Sequence, residues 1–274
     1  MLSVNNNPGA LVALQNLNDT AAQLQQTQNQ VSTGLAVANP QDNGAVWAIA
    51  QSERGTSQSL TAVIQSLQRG QSTIQVATSA GTSVSNLLNQ LKTLALANSD
   101  TSLDATSVSA NNTQFRSILT QITQIVTNSD FNGVNMIKTG GTNIMALASA
   151  SGAQITVLAE NLALGGANMA QVSANASIGT TALATAMVAS VNTAITKVNA
   201  ALGTLGNGAT ALQNQLTFVQ DLQDTLDTGI GNLVNANLGK ESAQLTALQT
   251  KQQLGIQALS IANQSSTALL SLFR

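Results

Sequence analysis

VASVNTAITKVNAALGTLGNGATALQNQLTFVQDLQDTLDTGIGNL, residues 188–233, decides the fold. Alternating gaps of three and four residues pick out Val188, Val191, Ile195, Val198, Leu202, Leu205, Ala209, Leu212, Leu216, Val219, Gln223, Leu226, Ile230 and Leu233. Only Gln223 is not apolar. Such a repeat lays one narrow stripe along a helix and asks for a helical partner that supercoils slightly around it. Gly203, Gly206 and Gly208 fall inside the stretch, and each costs a helix about 1 kcal/mol. The register survives them, so the reading is one helix with a soft point near Leu205. At 1.5 Å per residue it is roughly 70 Å long. A compact globule of this length has a radius of gyration of only about 19 Å. The sequence therefore predicts an elongated, mainly α molecule, an antiparallel coiled-coil or helical-bundle rod.

A second seam runs through Leu14, Leu17, Ala21, Leu24, Gln28, Val31 and Leu35, opened by Pro8-Gly9 and closed by Gly34. Gln28 and Gln223 either fix register, as single buried amides do in coiled coils, or mark seam ends facing water. Asn39-Pro40-Gln41-Asp42-Asn43-Gly44 is a loop, with Asp42 or Asn43 as the cap of the next helix. Residues 45–98 read as that helix, a long one. Ile64, Leu67 and Ile74 begin its stripe, and Ala77, Ala80, Val84, Leu87, Leu91 and Leu94 continue it after a one-residue slip. Trp47 is an anchor on its packing face. After a break at residues 98–102, capped by Ser102 or Thr101, a helix near 104–128 buries Phe115, Ile118, Ile122 and Ile125.

Asp130-Phe131-Asn132-Gly133 is a turn signal. Strand candidates come next at 134–137, 142–147 and 154–158, separated by Gly-containing turns. β-Hairpins are thus expected at about 130–160. Residues 161–181 are small and uncharged and read as a surface connector. A final helix carries Leu245, Leu248, Ile256, Leu259, Ala262, Leu269, Leu272 and Phe273, and the chain ends at Arg274. Seams at both ends thus enclose longer seams inside. This predicts an inner domain of paired terminal helices, 1–38 with 234–274, and an outer helical domain, 39–233.

Composition narrows the function. Charged residues are 7% of the 274, aromatics 2%, and there is no Cys, His or Tyr. Ordinary globular proteins carry about 25% charged residues. A net charge of −2 on an amide- and hydroxyl-rich surface favours self-association and leaves no nucleic-acid footprint. No apolar run approaches the ~18 residues of a membrane span, and the N-terminus lacks the plan of a secretory signal peptide. Catalysis lacks its usual parts: no imidazole, no thiol. Asp221, Asp224 and Asp227 form a solvated acidic stripe rather than a calcium loop. Gly229-Ile230-Gly231 and Gly239-Lys240 lack the residues that complete nucleotide motifs. The expectation is a non-enzyme with no cofactor and no metal.

Ala258-Leu259-Ser260-Ile261-Ala262-Asn263-Gln264 with Leu269-Leu270-Ser271-Leu272-Phe273-Arg274 resembles the C-terminal signature of bacterial flagellins. Thr33-Gly34, Asp42 and Ala48-Ile49-Ala50 resemble the N-terminal one, and Phe131-Asn132-Gly133-Val134 the turn into the hairpins. The short neutral middle is similar to the small flagellins of alphaproteobacteria. The resemblance implies a secreted, extracellular subunit of the flagellar filament, a helical homopolymer that drives swimming. It implies that Leu14, Leu17, Leu24, Val31, Leu245, Leu248, Ile256, Leu259, Leu269, Leu272, Phe273 and Arg274 serve polymerisation through the terminal coiled coil. Leu87, Leu91, Leu94, Val191, Ile195, Val198, Leu212, Leu216, Val219 and Leu226 form the seam of the outer core.

The implied partners are further copies, sibling flagellins, hook-associated and cap proteins, an export chaperone and the type III export apparatus. In flagellins sensed by a vertebrate innate receptor, a Leu-Gln-Arg-Val-Arg-Glu-Leu segment carries recognition. Here the matching residues are Leu88, Asn89, Gln90, Leu91, Lys92, Thr93 and Leu94, so the motif is degenerate at Gln90 and Thr93. The competing readings are a hook–filament junction protein, separable by abundance in sheared filaments, and a secreted pore-forming or translocator protein. Surface-active helices of the latter kind usually carry Lys and Arg on their polar faces.

Overall fold

The computed structural model describes residues 7–271, and side chains as far as residue 264. Five helices and one hairpin appear among them: α1 (Pro8–Thr33), α2 (Gly44–Asn98), α3 (Ala105–Asn128), β1 (Ile144–Leu147), β2 (Gln154–Val157), α4 (Thr181–Val234) and α5 (Leu238–Ser271). No helix among the described residues is long and apolar enough to cross a membrane. The chain forms two compact units. One holds residues up to Gly55 and from Thr225 on, the other Thr56–Asp224. The division falls within α2 and α4 rather than at the loops where the sequence suggests a boundary, because a continuous helix carries no break signal there.

The 56–224 unit is built on α2 against α4. Helix α4 runs unbroken through its three glycines. Val191, Val198, Leu205, Leu212 and Val219, seven residues apart, are all buried, with Leu216 beside them. Ala184 continues that column and is buried; Ile195, Leu202 and Gln223 are half-buried on one flank of the seam, and Ala194 and Ala201 are buried on the other. At the far end, in the other unit, Leu233 turns outward and Val234 takes the buried place. Gln223 is a satisfied seam amide: its Nε2 donates to Ser57 O at 3.1 Å and Thr61 Oγ1 at 3.0 Å.

Within the 56–224 unit, α2 is buried at 57, 60, 63, 67, 70, 74, 77, 81, 84, 88, 91, 95 and 98, one uninterrupted seam, with Thr73 buried beside it. The one-residue slip does not occur. Gly70 and Gly81 occupy seam positions, and their missing side chains are replaced by neighbours: a Cβ on Gly70 would lie 3.1 Å from Leu212 Cδ1. Leu88 and Ala95 are therefore core, while Ile64, Ala80, Leu87 and Leu94 are half-buried.

The seam ends in a polar junction. Asn98, fully buried, donates from Nδ2 to Val108 O and Ile178 O, and its Oδ1 accepts from Asn111 Nδ2 at 2.8 Å. One amide thus ties α2 to α3 and to the lead-in of α4. Asp104, not Ser102 or Thr101, caps α3. Hydrogen bonds from the Ser107 hydroxyl and from the Ser107 and Thr106 N–H groups hold its pKa below the usual aspartate value. Phe115, Ile118, Leu119, Ile122 and Val126 form the buried face of α3, with Ile125 at its margin.

Residues 134–137 are not a strand. Asn135 captures the backbone instead, its Oδ1 accepting from Ile137 N and Lys138 N and its Nδ2 donating to Val126 O. The hairpin is β1–β2 alone, antiparallel, with Met145 opposite Thr156. Residues 161–181 are no surface connector: Leu162, Met169, Val172 and Ile178 are fully buried. Leu162 N donates to Ile137 O at 2.8 Å, so this segment is folded into the unit.

Gly208 and Gly206 make opposite predictions. A Cβ on Gly208 would sit 2.5 Å from Val157 Cγ1, on a stiff, short side chain, whereas one on Gly206 meets nothing within 4 Å. Gly206→Ala should raise the melting temperature, adding up to about 1 kcal/mol of helix propensity. Gly208→Ala should lower it, because overpacking of about 1–3 kcal/mol outweighs that gain. Paired thermal melts check both signs.

Candidate polymerisation surface

The other unit brings α1 and α5 together. Helix α1 starts at Asn7, whose Oδ1 accepts from Ala10 N at 3.1 Å, with Pro8 in the first turn where no N–H is missed. It stops at Gly34, whose left-handed φ of 71° lets its N–H reach Gln30 O at 2.9 Å. Helix α5 starts with Asn237 Oδ1 accepting from Lys240 N. The two helices pack antiparallel. Asn7 Nδ2 donates to Ala262 O at 2.7 Å at one end, and a Cβ on Gly255 would lie 3.2 Å from Leu17 Cδ1. At the other end Leu35 bridges Asn235, Ala36 N donates to Val234 O at 2.7 Å, and Ala236 N donates to Gly34 O at 2.9 Å. Ala50, Ile230 and Val234 close a small core there with Leu35, Val37 and Val46. Trp47 is half-buried nearby in sequence.

The α1 seam differs from the expected one by a turn of the helix. Its covered positions are Ala10, Ala13, Leu17, Thr20, Leu24, Thr27 and Val31. Leu14, Ala21 and Gln28 face outward, so Gln28 fixes no register. Leu17, Leu24 and Val31 recur every seven residues, and a heptad column leaves two choices for its second half. The threonines take it because a helical hydroxyl can satisfy itself: Thr20 Oγ1 donates to Asn16 O at 2.7 Å and its methyl is buried. On α5 the covered positions are Leu245, Leu248, Gln252, Gly255, Leu259 and Ala262. Ile256 is off the seam and exposed. The side chain of Leu269, and all of Leu272, Phe273 and Arg274, lie outside the described residues.

Pairing leaves apolar side chains uncovered on both flanks of the pair. Val12 and Leu254 are each 59% exposed, Ile256 54% and Ile261 68%, and Leu11 and Leu14 are open as well. A groove of about 560 Å3 lies between the helices on one flank, lined by Val12, Ala13, Asn16, Lys251, Leu254 and Ala258 among others.

Residues 4–142 match the family model for the bacterial flagellin N-terminal helical region, and residues 188–273 that for the C-terminal helical region. The chain belongs to the bacterial flagellin family. Flagellin FljM of Caulobacter vibrioides is 49% identical to it over 99% of this chain and 98% of that one. A flagellin of Brucella melitensis is 33% identical over the full length of both. The crystal structure of Bacillus cereus flagellin shares the fold, with a TM-score of 0.50 over 55% of this chain and 86% of that one at 23% identity. This flagellin is a structural subunit of the flagellar filament. The two family models cover all five helices at least in part and leave out the β1–β2 hairpin and residues 161–181.

The receptor-like segment of this flagellin lies in α2. Leu88 and Leu91 are buried in the core, Lys92 and Leu94 are half-buried, and Gln90 is exposed. Asn98, Thr20, Thr27 and the seam glycines are the positions that apolar patterning passes over.

Proposed function

We propose that the α1–α5 pair, residues 1–38 with 234–274, is the inner assembly domain of this flagellin, and that neighbouring copies cover its outward apolar face. The observation that carries this is the exposure of Val12, Leu254 and Ile261 on the flank where a groove opens, on a pair whose own seam is thin. Leu24 and Leu248 are the only large apolar side chains of the two helices that are buried among the described residues. A face of this kind on one copy meeting a different face on the next is a heterologous contact, which propagates into an open helical polymer. The filament lies outside the cell, and the chain acts as structure rather than as an enzyme. Export apparatus, chaperone, hook-associated and cap proteins are its further partners.

Leu254→Glu combined with Val12→Glu tests the face. Both side chains are already in solvent, so the subunit should keep its helix content. Filaments should disappear from electron micrographs, because a carboxylate buried without a partner costs far more than a copy-to-copy contact returns. Normal filaments from that variant would refute the assignment.

The degenerate motif has its own expected result. Gln90 replaces an Arg whose planar fork makes paired, charge-assisted hydrogen bonds, which an amide does not reproduce. Purified monomer should therefore activate the vertebrate flagellin receptor weakly or not at all in a reporter cell line. Potency equal to that of an enteric flagellin would overturn this.

A further inference from the structure

Four of the five methionines lie among the described residues. Met136 and Met169 are fully buried in the 56–224 unit, Met187 is half-buried on α4, and Met145 is 63% exposed. The difference follows from the pleat of the hairpin. Ile144 and Ala146 point into the core from β1, so Met145 between them points out. Its cross-strand neighbour is Thr156, which is also exposed, so nothing on the hairpin shields the thioether. Met145 borders a groove of about 270 Å3 that it shares with Phe131, Asn132 and Arg69.

We propose that, among the described methionines, Met145 is the selective, reversible oxidation site, addressed by hydrogen peroxide or another two-electron oxidant of the peroxide class. The sulfur lone pair attacks one peroxide oxygen and the O–O bond breaks. An S–O bond forms, and the second oxygen leaves as water after taking up a proton. Sulfur is oxidised by two electrons and peroxide is reduced by two. The product is a sulfoxide, polar and chiral where the thioether was apolar. The fold tolerates it because the core-facing side chains of β1 are Ile144 and Ala146, which do not react. Met136 and Met169 have no route to the oxidant short of unfolding. Exposure of the thioether alone carries this proposal, which does not rest on the assembly reading.

The test is a timed exposure of the full-length monomer to dilute hydrogen peroxide, quenched and mapped by peptide mass spectrometry. Met145 should gain one oxygen roughly tenfold or more faster than Met136 and Met169, at unchanged helical circular dichroism. A methionine sulfoxide reductase should then restore the starting mass. In Met145→Leu the early oxygen uptake on this peptide should vanish. Oxidation of Met136 or Met169 at the rate of Met145 would overturn the selectivity. Loss of helix signal when only Met145 has reacted would overturn the claim that the fold tolerates it, and a product that no reductase reverses would overturn reversibility.

Discussion

Removal of residues 241–274 should abolish filament formation and leave the melt of the 56–224 unit almost unchanged. The deletion takes away all but the first turn of α5 and with it the partner of α1. Helix α1 alone has 26 residues, no charge but Asp19, and a seam in which two of seven positions are threonine. A helix with so little apolar contact is marginal in water without a partner. Its ordering entropy, about 1–2 kcal/mol per residue for the backbone, is then not offset. The 56–224 unit keeps its own core, with Leu67, Ile74, Leu91, Phe115 and Ile178 fully buried, all of them within that unit. Hydrogen exchange should therefore remain slow in residues 60–98 and become fast in residues 8–33. Electron micrographs showing ordinary filaments would remove the C-terminal helix from the assembly role. Fast exchange through the 56–224 unit would show that this unit does not fold without the terminal pair.

Leu212→Ala should destabilise the monomer strongly. Leu212 is fully buried, and its Cδ1 lies 3.1 Å from where a Cβ on Gly70 would be, so it fills the space that glycine leaves. Truncation opens a cavity on a face where α2 has no side chain to collapse into it. The expected loss is about 2–5 kcal/mol, at the upper part of that range if the cavity stays open. Urea melts of wild type and variant should show a lower midpoint at equal slope. Equal midpoints would mean that α4 does not bury this position in solution.

Leu212 and the terminal helices are legible in the amino-acid pattern itself, and the positions that are not have physical reasons for it. The sevens of α4 are aliphatic at every step, so Val191 through Val219 are found by counting. On α2 the count fails at Gly70 and Gly81, where the seam is present but the side chain is supplied by the partner helix. Passing over them shifts the stripe onto Ala80, Leu87 and Leu94. On α1 and α5 the same happens at Thr20, Thr27, Gln252 and Gly255. A helical threonine returns its hydroxyl to the preceding turn and packs by its methyl, a property of three dimensions rather than of the residue alphabet. Apolar character and spacing put Leu14 and Ile256 on the pair's seam, yet both face outward. Residues 161–181 defeat the pattern for another reason: their buried groups, Leu162, Met169, Val172 and Ile178, follow no period, because the segment turns on irregular backbone hydrogen bonds, Leu162 N to Ile137 O and Gly165 N to Met169 O and Val172 O.

The bond from Asn7 to Ala262 spans 255 positions of the chain. Closing so long a loop is an entropic step that has to wait until α5 has been made, and contacts of this sequence separation slow folding. Helix α1 therefore waits for α5. A chain that stops before α5 carries a complete 56–224 unit and an unmatched first helix, and is stalled rather than wrong. The topology so acts as a check on synthesis: the presence of α5 is read out by whether residue 7 finds residue 262.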